Sequence, residues 1–356
     1  MCSLPQLVLA AGLAHPGAPA AVSGANVATE CQWPTVVSYR AGDSKCSGLL
    51  VHPRVIVTAA HCIEDAPAGG VRFGEQFQPA ERIVDALRCG IDPVYASTGA
   101  PSSDVGYCVL EEAVQDIPLT PVLMGCETDW LRAGLPAVIV GLGATPDDPA
   151  FGTKRYAFTV LDSDLRSDGT VWVGDADVNG CLGDSGGPTF VRSPAGTWHA
   201  LGVLAHGPEC GQGPVLYRAL FDRIGWLEQE TGYDLSPCHD AEGAWDPGSA
   251  CGTIAADPLT AGSVWSQACA GATIDAPNCP EPAPPDPTDG ITEPLDGSGE
   301  DPSGLDDAAP TGCGCATAPR PTTSWTLTLL VLLLSRRRRR SARAPRTGSA
   351  PRPATS

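Results

Sequence analysis

The chain predicts an all-β fold, a barrel or sandwich followed by one C-terminal helix, and two observations carry that expectation. From Pro34 to about Val215, short apolar runs rich in β-branched residues alternate with Gly, Pro and Asp, the punctuation of strands and turns. Helical spacing first appears at Tyr217–Thr231, where Leu220, Ile224 and Leu227 recur, with Phe221 and Trp226 widening the apolar side. Many short strands and one terminal helix suit a closed or double-sheet β architecture. At 356 residues the chain can bury a substantial core and still carry extensions.

In chain order, residues 1–20 come first. "MCSLPQLVLAAGLAHPGAPA" has no charge, an apolar stretch Leu7–Leu13 and small residues at Ala18 and Ala20. It reads as a secretory signal lacking only the basic start that an upstream start codon would supply. The expected strands then include "TVVSY", "GLLVHPRVIVTAA", "AVIVGLG", "VWVG" and "ALGVLAHG". Residues 236–279 form a Cys-bearing extension with no clear period. Residues 280–311, made of Pro, Asp, Glu and Gly, are expected to be a disordered, self-repelling acidic linker. A short hydrophobic tail with an arginine cluster occupies 312–340, and 341–356 is a disordered end.

Charge and cysteine usage restrict function. The net charge is −19, but nine of the 22 basic residues lie beyond Cys315, where no acidic residue occurs. The part upstream carries 13 basic against 41 acidic side chains, a net −28. So acidic a surface excludes nucleic acid as a partner and suits solubility outside a cell. The 15 cysteines are spread out rather than gathered in pairs of zinc-ligand spacing, which points to disulfides in an oxidising compartment. No metal and no cofactor is called for.

"DVNGCLGDSGGP" places Ser185 between an aspartate and two glycines, where the chain either turns or exposes a nucleophile. A nucleophilic serine needs a base and a group to orient that base. His61 ends the apolar strand of "VIVTAAHC", and Asp104 stands in "SSDVGYCVLEE", where polar turn residues lead into a strand. The order TAAHC, DVGYCVL, GDSGGP resembles the trypsin-like, chymotrypsin-fold serine proteases, and the resemblance covers about residues 21–234. "QWPTVVSY" matches that family's first strand. "LGVLAHG" matches the strand lining the substrate cleft, and "VLYRALFDRIGWLEQET" the last strand and terminal helix.

The resemblance implies two six-stranded antiparallel β-barrels with the active site between them. His61 is then the general base for Ser185, Asp104 orients the imidazole, and the N–H groups of Gly183 and Ser185 form the oxyanion hole. Gly183 leaves room for the approaching carbonyl. Asn179, Gly207 and Val215 fall at the specificity pocket; family members that cleave after basic residues carry Asp where this chain has Asn179. A neutral, partly filled pocket implies preference for small or medium uncharged side chains. Ala205 and His206 stand where Ser and Trp are usual, which removes a hydrogen bond to Asp104 worth about 1.5–3 kcal/mol. A catalytically inactive binding or adhesion module is accordingly the alternative reading.

The family also implies activation by a freed α-amino group, here Ala21 pairing with Asp184 after cleavage behind Ala18-Pro19-Ala20. Cys46–Cys62 and Cys181–Cys210 are the implied disulfides. Expected strand adjacency suggests Cys89–Cys108 and Cys31–Cys126, while Cys238, Cys251, Cys269 and Cys279 have undecided connectivity. The tail resembles the C-terminal sorting signal of myxobacterial surface proteins. It has a Gly-Cys motif with Cys313 and Cys315, an apolar run Trp325–Leu334 and an arginine block. That run is too short for a stable helical span. The resemblance implies membrane association at the outer surface through lipid. Protein or peptide substrates and a monomer are expected.

Overall fold

Residues 25–145, 151–208, 210–255, 257–259, 264–267 and 269–272 are described by the computed structural model. The expected signal, Ala21, Cys279, the acidic linker and the tail with Cys313 and Cys315 lie outside them. The short apolar runs become two antiparallel sheets. In chain order the strands are β1 (Asn26–Val27), β2 (Val36–Ala41), β3 (Ser44–His52), β4 (Val55–Thr58), β5 (Val71–Phe73), β6 (Arg82–Val84), β7 (Ala86–Ile91) and β8 (Gly106–Leu110). They continue with β9 (Pro136–Gly141), β10 (Arg155–Val160), β11 (Thr170–Val173), β12 (Pro188–Arg192), β13 (Trp198–His206) and β14 (Val215–Ala219).

Each sheet has seven hydrogen-bonded strands, ordered β6-β5-β2-β3-β4-β8-β7 and β1-β10-β9-β12-β13-β14-β11. The two edges of the first are consecutive in the chain, separated only by Asp85. One bent strand therefore closes that sheet on itself, which makes it a six-stranded barrel. In the second, a bridge between Leu161 and Val173 joins the far end of β10 to β11. The two-residue β1 is added outside that ring, against β10. Closure leaves few free strand edges.

Side chains alternate between faces, and both faces are buried. Val37, Leu50, Ile56, Cys108 and Leu110 fill the first barrel; Ala137, Ile139, Val191, Leu201 and Tyr217 fill the second. Their neighbours Val36, Leu49, Val57, Val109, Val138, Val140 and Phe190 form a third cluster on the opposite sheet faces. This is why the runs read as continuously apolar rather than alternating.

The helix starts later than its sequence period suggests. Tyr217–Ala219 belongs to β14, where Tyr217 pairs with Val171 and Leu204. The helix covers Ile224–Thr231, buries Ile224 and Leu227 in the third cluster, and ends at Gly232 with φ +78°. A short helix at Pro93–Thr98, capped by the Asp92 carboxylate, is too brief to show a period in sequence.

The extension packs back on this body. Cys238 pairs with Cys251, and Ile254–Ala255 pairs with Gly271–Ala272 in a small antiparallel sheet. Cys31 is bonded to Cys269, which corrects the expected Cys31–Cys126 pair; Cys126 is itself disulfide-bonded. Gln32 donates to the Leu259 carbonyl at 2.8 Å and the Trp265 indole to Glu75 at 2.9 Å. His239 of the extension meets buried Glu127 at 3.1 Å, beside His199 of β13 and the rings of Trp130 and Trp245. Among the described residues, no helix is long and apolar enough to cross a membrane.

Candidate active site

His61 leaves β4 on a single 3-10 turn, Ala60–Cys62, pinned by the Cys46–Cys62 disulfide to β3. Asp104 follows another such turn, Pro101–Ser103, and leads into β8. The two turns meet. The backbone N–H of His61 donates to Asp104 Oδ1 at 2.9 Å, and His61 Nδ1 lies 2.6 Å from Asp104 Oδ2. Asp104 is only 2% exposed, so the bond is shielded and the ring is fixed with Nε2 outward.

Ser185 sits on the loop between β11 and β12, bent by two left-handed glycines, Gly183 (φ +95°) and Gly186 (φ +74°). A Cβ on Gly183 would lie 2.6 Å from the Phe151 ring, and one on Gly186 2.0 Å from Thr58 Oγ1. Ser47 of the first barrel ties the loop down. Its N–H donates to the Ser185 carbonyl at 3.0 Å, and its hydroxyl to the Gly183 carbonyl at 2.9 Å. With these carbonyls held inward, the N–H groups of Gly183 and Ser185 donate to no protein acceptor among the described residues. Two unused amide donors beside a serine are what an oxyanion requires.

His61, Asp104 and Ser185 all line one cavity of about 740 Å³, with Tyr95, Leu182 and Leu204. Among the described residues, Ser185 Oγ makes no hydrogen bond to His61 Nε2; in unliganded sites that contact is often long and tightens on binding. Burial, with the Asp104 charge adding to it, pushes the Tyr95 phenol up to about 12, so it stays a proton donor. Sequence reasoning missed Tyr95. Its only signal was an aromatic in the loop before Asp104.

Asp184 is buried behind the nucleophile. Gly143 donates to it at 2.7 Å and Cys181 at 2.9 Å, yet burial still pushes its carboxyl up to about 6. Side chains at Gly141 or Gly143 would lie 2.1 and 2.6 Å from this carboxylate, which accounts for both glycines of "GLG". Its expected partner, Ala21, is outside the described residues.

Gly207 and Val215 line the cavity, and the Cys181–Cys210 disulfide is formed. Asn179 does not line it. The side chain is fully buried behind the wall. Nδ2 donates to the carbonyls of Gly213 (2.7 Å) and Asp175 (3.2 Å), and Oδ1 accepts from Gly211 N–H at 3.1 Å. The amide is spent on holding the loop. Val215 and Leu204 crowd Gly207 and Gly180, leaving no space for a Cβ at either. Cys46, Cys62 and His61 have ligand atoms within 4.8 Å of one another, but the two sulfurs are joined, so no thiolate is there to hold a metal.

Two antiparallel barrels, with His61 and Asp104 from the first and Ser185 from the second around one cleft, are the arrangement of the chymotrypsin fold. The chain belongs to the trypsin family, whose domain profile matches residues 22–227. Over 236 residues it is 27% identical to ovochymase of Halocynthia roretzi, covering 58% of this chain and 15% of that protein. Over 241 residues it is 27% identical to phenoloxidase-activating enzyme 1 of Spodoptera litura, covering 56% of this chain and 63% of that one. The chain thus spans less than two thirds of either relative.

Proposed function

We propose that the protein is a secreted serine endopeptidase that works through an acyl-enzyme. The observation that carries this is the pairing of His61 Nδ1 with Asp104 at 2.6 Å in the cavity that Ser185 also lines, with the N–H groups of Ser185 and nearby Gly183 free of any protein acceptor among the described residues. Asp104 keeps the proton on Nδ1, so Nε2 is the basic nitrogen. It takes the Ser185 proton as Oγ attacks the scissile carbonyl, and returns it to the leaving amine. Gly183 and Ser185 N–H hold the oxyanion; each such donor contributes about 3 kcal/mol in the transition state. Water then repeats the cycle on the ester.

The lining supports a preference for small or medium uncharged residues before the scissile bond. Asp104, already engaged by His61, is the one carboxylate among the described lining residues, and Val215 narrows the space beside Gly207. An Arg head group there would be desolvated without a counter-charge. Cleavage after Ala20 is proposed to release the chain and free the Ala21 α-amino group. A nearby ammonium would favour the charged form of Asp184 and lower its raised carboxyl again. Surface display through Cys313 or Cys315 and the monomeric state belong to the same reading.

A catalytically silent binding module is the second reading. One observation favours it: Ala205 of β13, buried in the cavity wall, offers Asp104 no hydroxyl. A fluorophosphonate probe on the secreted protein separates the two. Labelling that disappears in Ser185→Ala, on a species whose N-terminus is Ala21, is the expected result. A folded protein that never labels establishes the silent module.

A further inference from the structure

Arg218 of β14 is fully buried, and the reaction described above makes no use of it. All three of its nitrogens donate to protein acceptors. Nε donates to the Ser102 carbonyl at 2.6 Å, Nη1 to the carbonyls of Gly169 (2.9 Å) and Ala219 (2.5 Å), and Nη2 to both Asp222 oxygens at 2.8 Å. A guanidinium so satisfied is fixed in place, because any tilt leaves a buried donor unpaired. Gly169, at φ +77°, makes the space: a Cβ there would lie 2.4 Å from Nη1.

The anchors divide between the barrels. Gly169, Ala219 and Asp222 belong to the second half of the chain, around β11 and β14. Ser102 lies in the 3-10 turn that Asp104 terminates. Ser185 rides on the second half too, since its loop is bonded to Leu204 of β13 through Gly186 and Gly187, and β13 pairs with β14. Arg218 therefore links the half that carries the nucleophile to the turn that carries the orienting carboxylate. That link matters more where residue 205 is Ala, because β13 supplies no hydroxyl to Asp104.

We propose that Arg218 is a positioning residue, setting the depth of Asp104, and hence of the His61 ring, relative to Ser185. The proposal rests on the peptidase reading. A displacement of the His61–Asp104 pair by about 1 Å costs on the order of a hundredfold in rate.

The test compares Arg218→Met, Arg218→Lys and Asp222→Asn with wild type. It reads kcat and KM on a peptide substrate, the pH profile of kcat, and the low-field proton resonance of the His61–Asp104 hydrogen bond. Arg218→Met is expected to lower kcat about tenfold to a hundredfold with little change in KM, and to shift both the resonance and the pH profile. Arg218→Lys does not rescue, because one ammonium cannot span Ser102 and Asp222. If Arg218→Met fails to fold, Asp222→Asn decides. Its side chain is 37% exposed, and it is expected to give the same changes at smaller size. Folded variants with wild-type kcat, or with altered rates but an unchanged resonance and pH profile, overturn the proposal. Failure of the peptidase reading is distinct: wild type then neither cleaves nor labels. The resonance needs no turnover, so it still reports whether Arg218 places Asp104.

Discussion

Changing Asn179 to Asp separates a residue that selects substrate from one that holds the pocket wall. By family analogy the substitution supplies a counter-charge for Arg. The geometry predicts otherwise. Asn179 Nδ2 donates to Gly213 O at 2.7 Å and Asp175 O at 3.2 Å, and the side chain has no exposure. An ionised Asp turns an acceptor toward two carbonyl oxygens and forfeits both donations, each worth about 1–3 kcal/mol when the acceptor is left buried. A protonated Asp restores one donation, but holding it neutral at pH 7 costs about 4 kcal/mol, three pH units at 1.36 kcal/mol each. The ionised route thus costs about 2–6 kcal/mol and the protonated one about 5–7; a loss near 4 kcal/mol lowers Tm of a domain of this size by roughly 10 °C. Thermal melts, with kcat/KM on matched substrates bearing Arg, Ala or Val before the scissile bond, measure both effects. A variant with wild-type Tm and a large gain for Arg would refute the reasoning, because the carboxylate would then have to face the cavity.

Two further outcomes follow from the same geometry. Gly183→Ala brings a methyl to 2.6 Å from the Phe151 ring and 3.0 Å from Gly143 Cα at φ +95°. The amide donor must move, and kcat should fall about a hundredfold with KM nearly constant; steady-state kinetics showing less than a threefold loss sinks the assignment. His199 bears on acid stability: burial, reinforced by His239 and opposed by Glu127, lowers its imidazole to about 4. The unfolded chain then binds the extra proton from about pH 6.5 downward. This stability is complete above pH 6.5, drains away as pH falls toward 4, and amounts to about 3 kcal/mol. Urea titrations of wild type and His199→Phe across that window should converge at low pH, and parallel curves would dismiss the effect.

What the sequence reveals depends on how local the cause is. His61, Asp104 and Ser185 are each readable as part of a short motif, and around Ser185 the small neighbours are sterically required. Gly183 and Gly186 cannot carry a side chain, and Gly141 and Gly143 must clear Asp184. The barrels are legible as strands but not as faces, since Val36 and Val37 are both fully buried, on opposite sides. For Asn179, sequence spacing fixes a backbone position and not the direction of its amide, which is spent on Gly213, Asp175 and Gly211. Arg218 resembles a surface pair with Asp222 four residues on; the only contrary sign is a charge inside the apolar run "VLYRAL". Cys31–Cys269 was beyond reach, as the partners stand 238 residues apart.

That last bond makes the two-barrel body a covalent ring. Every residue of the proposed triad lies on the arc between Cys31 and Cys269, so a single cut in any loop of that arc opens the circle without releasing a piece. The two-barrel body is thereby protected from losing half of itself to one stray cleavage. In the chain-entropy description, closing so long a loop removes about 5 kcal/mol of freedom from the unfolded chain. The ring also imposes an order of assembly. The circle closes only once residue 269 has been made, whereas the Cys46–Cys62 and Cys89–Cys108 bonds of the first barrel span 16 and 19 residues and need none of that later chain.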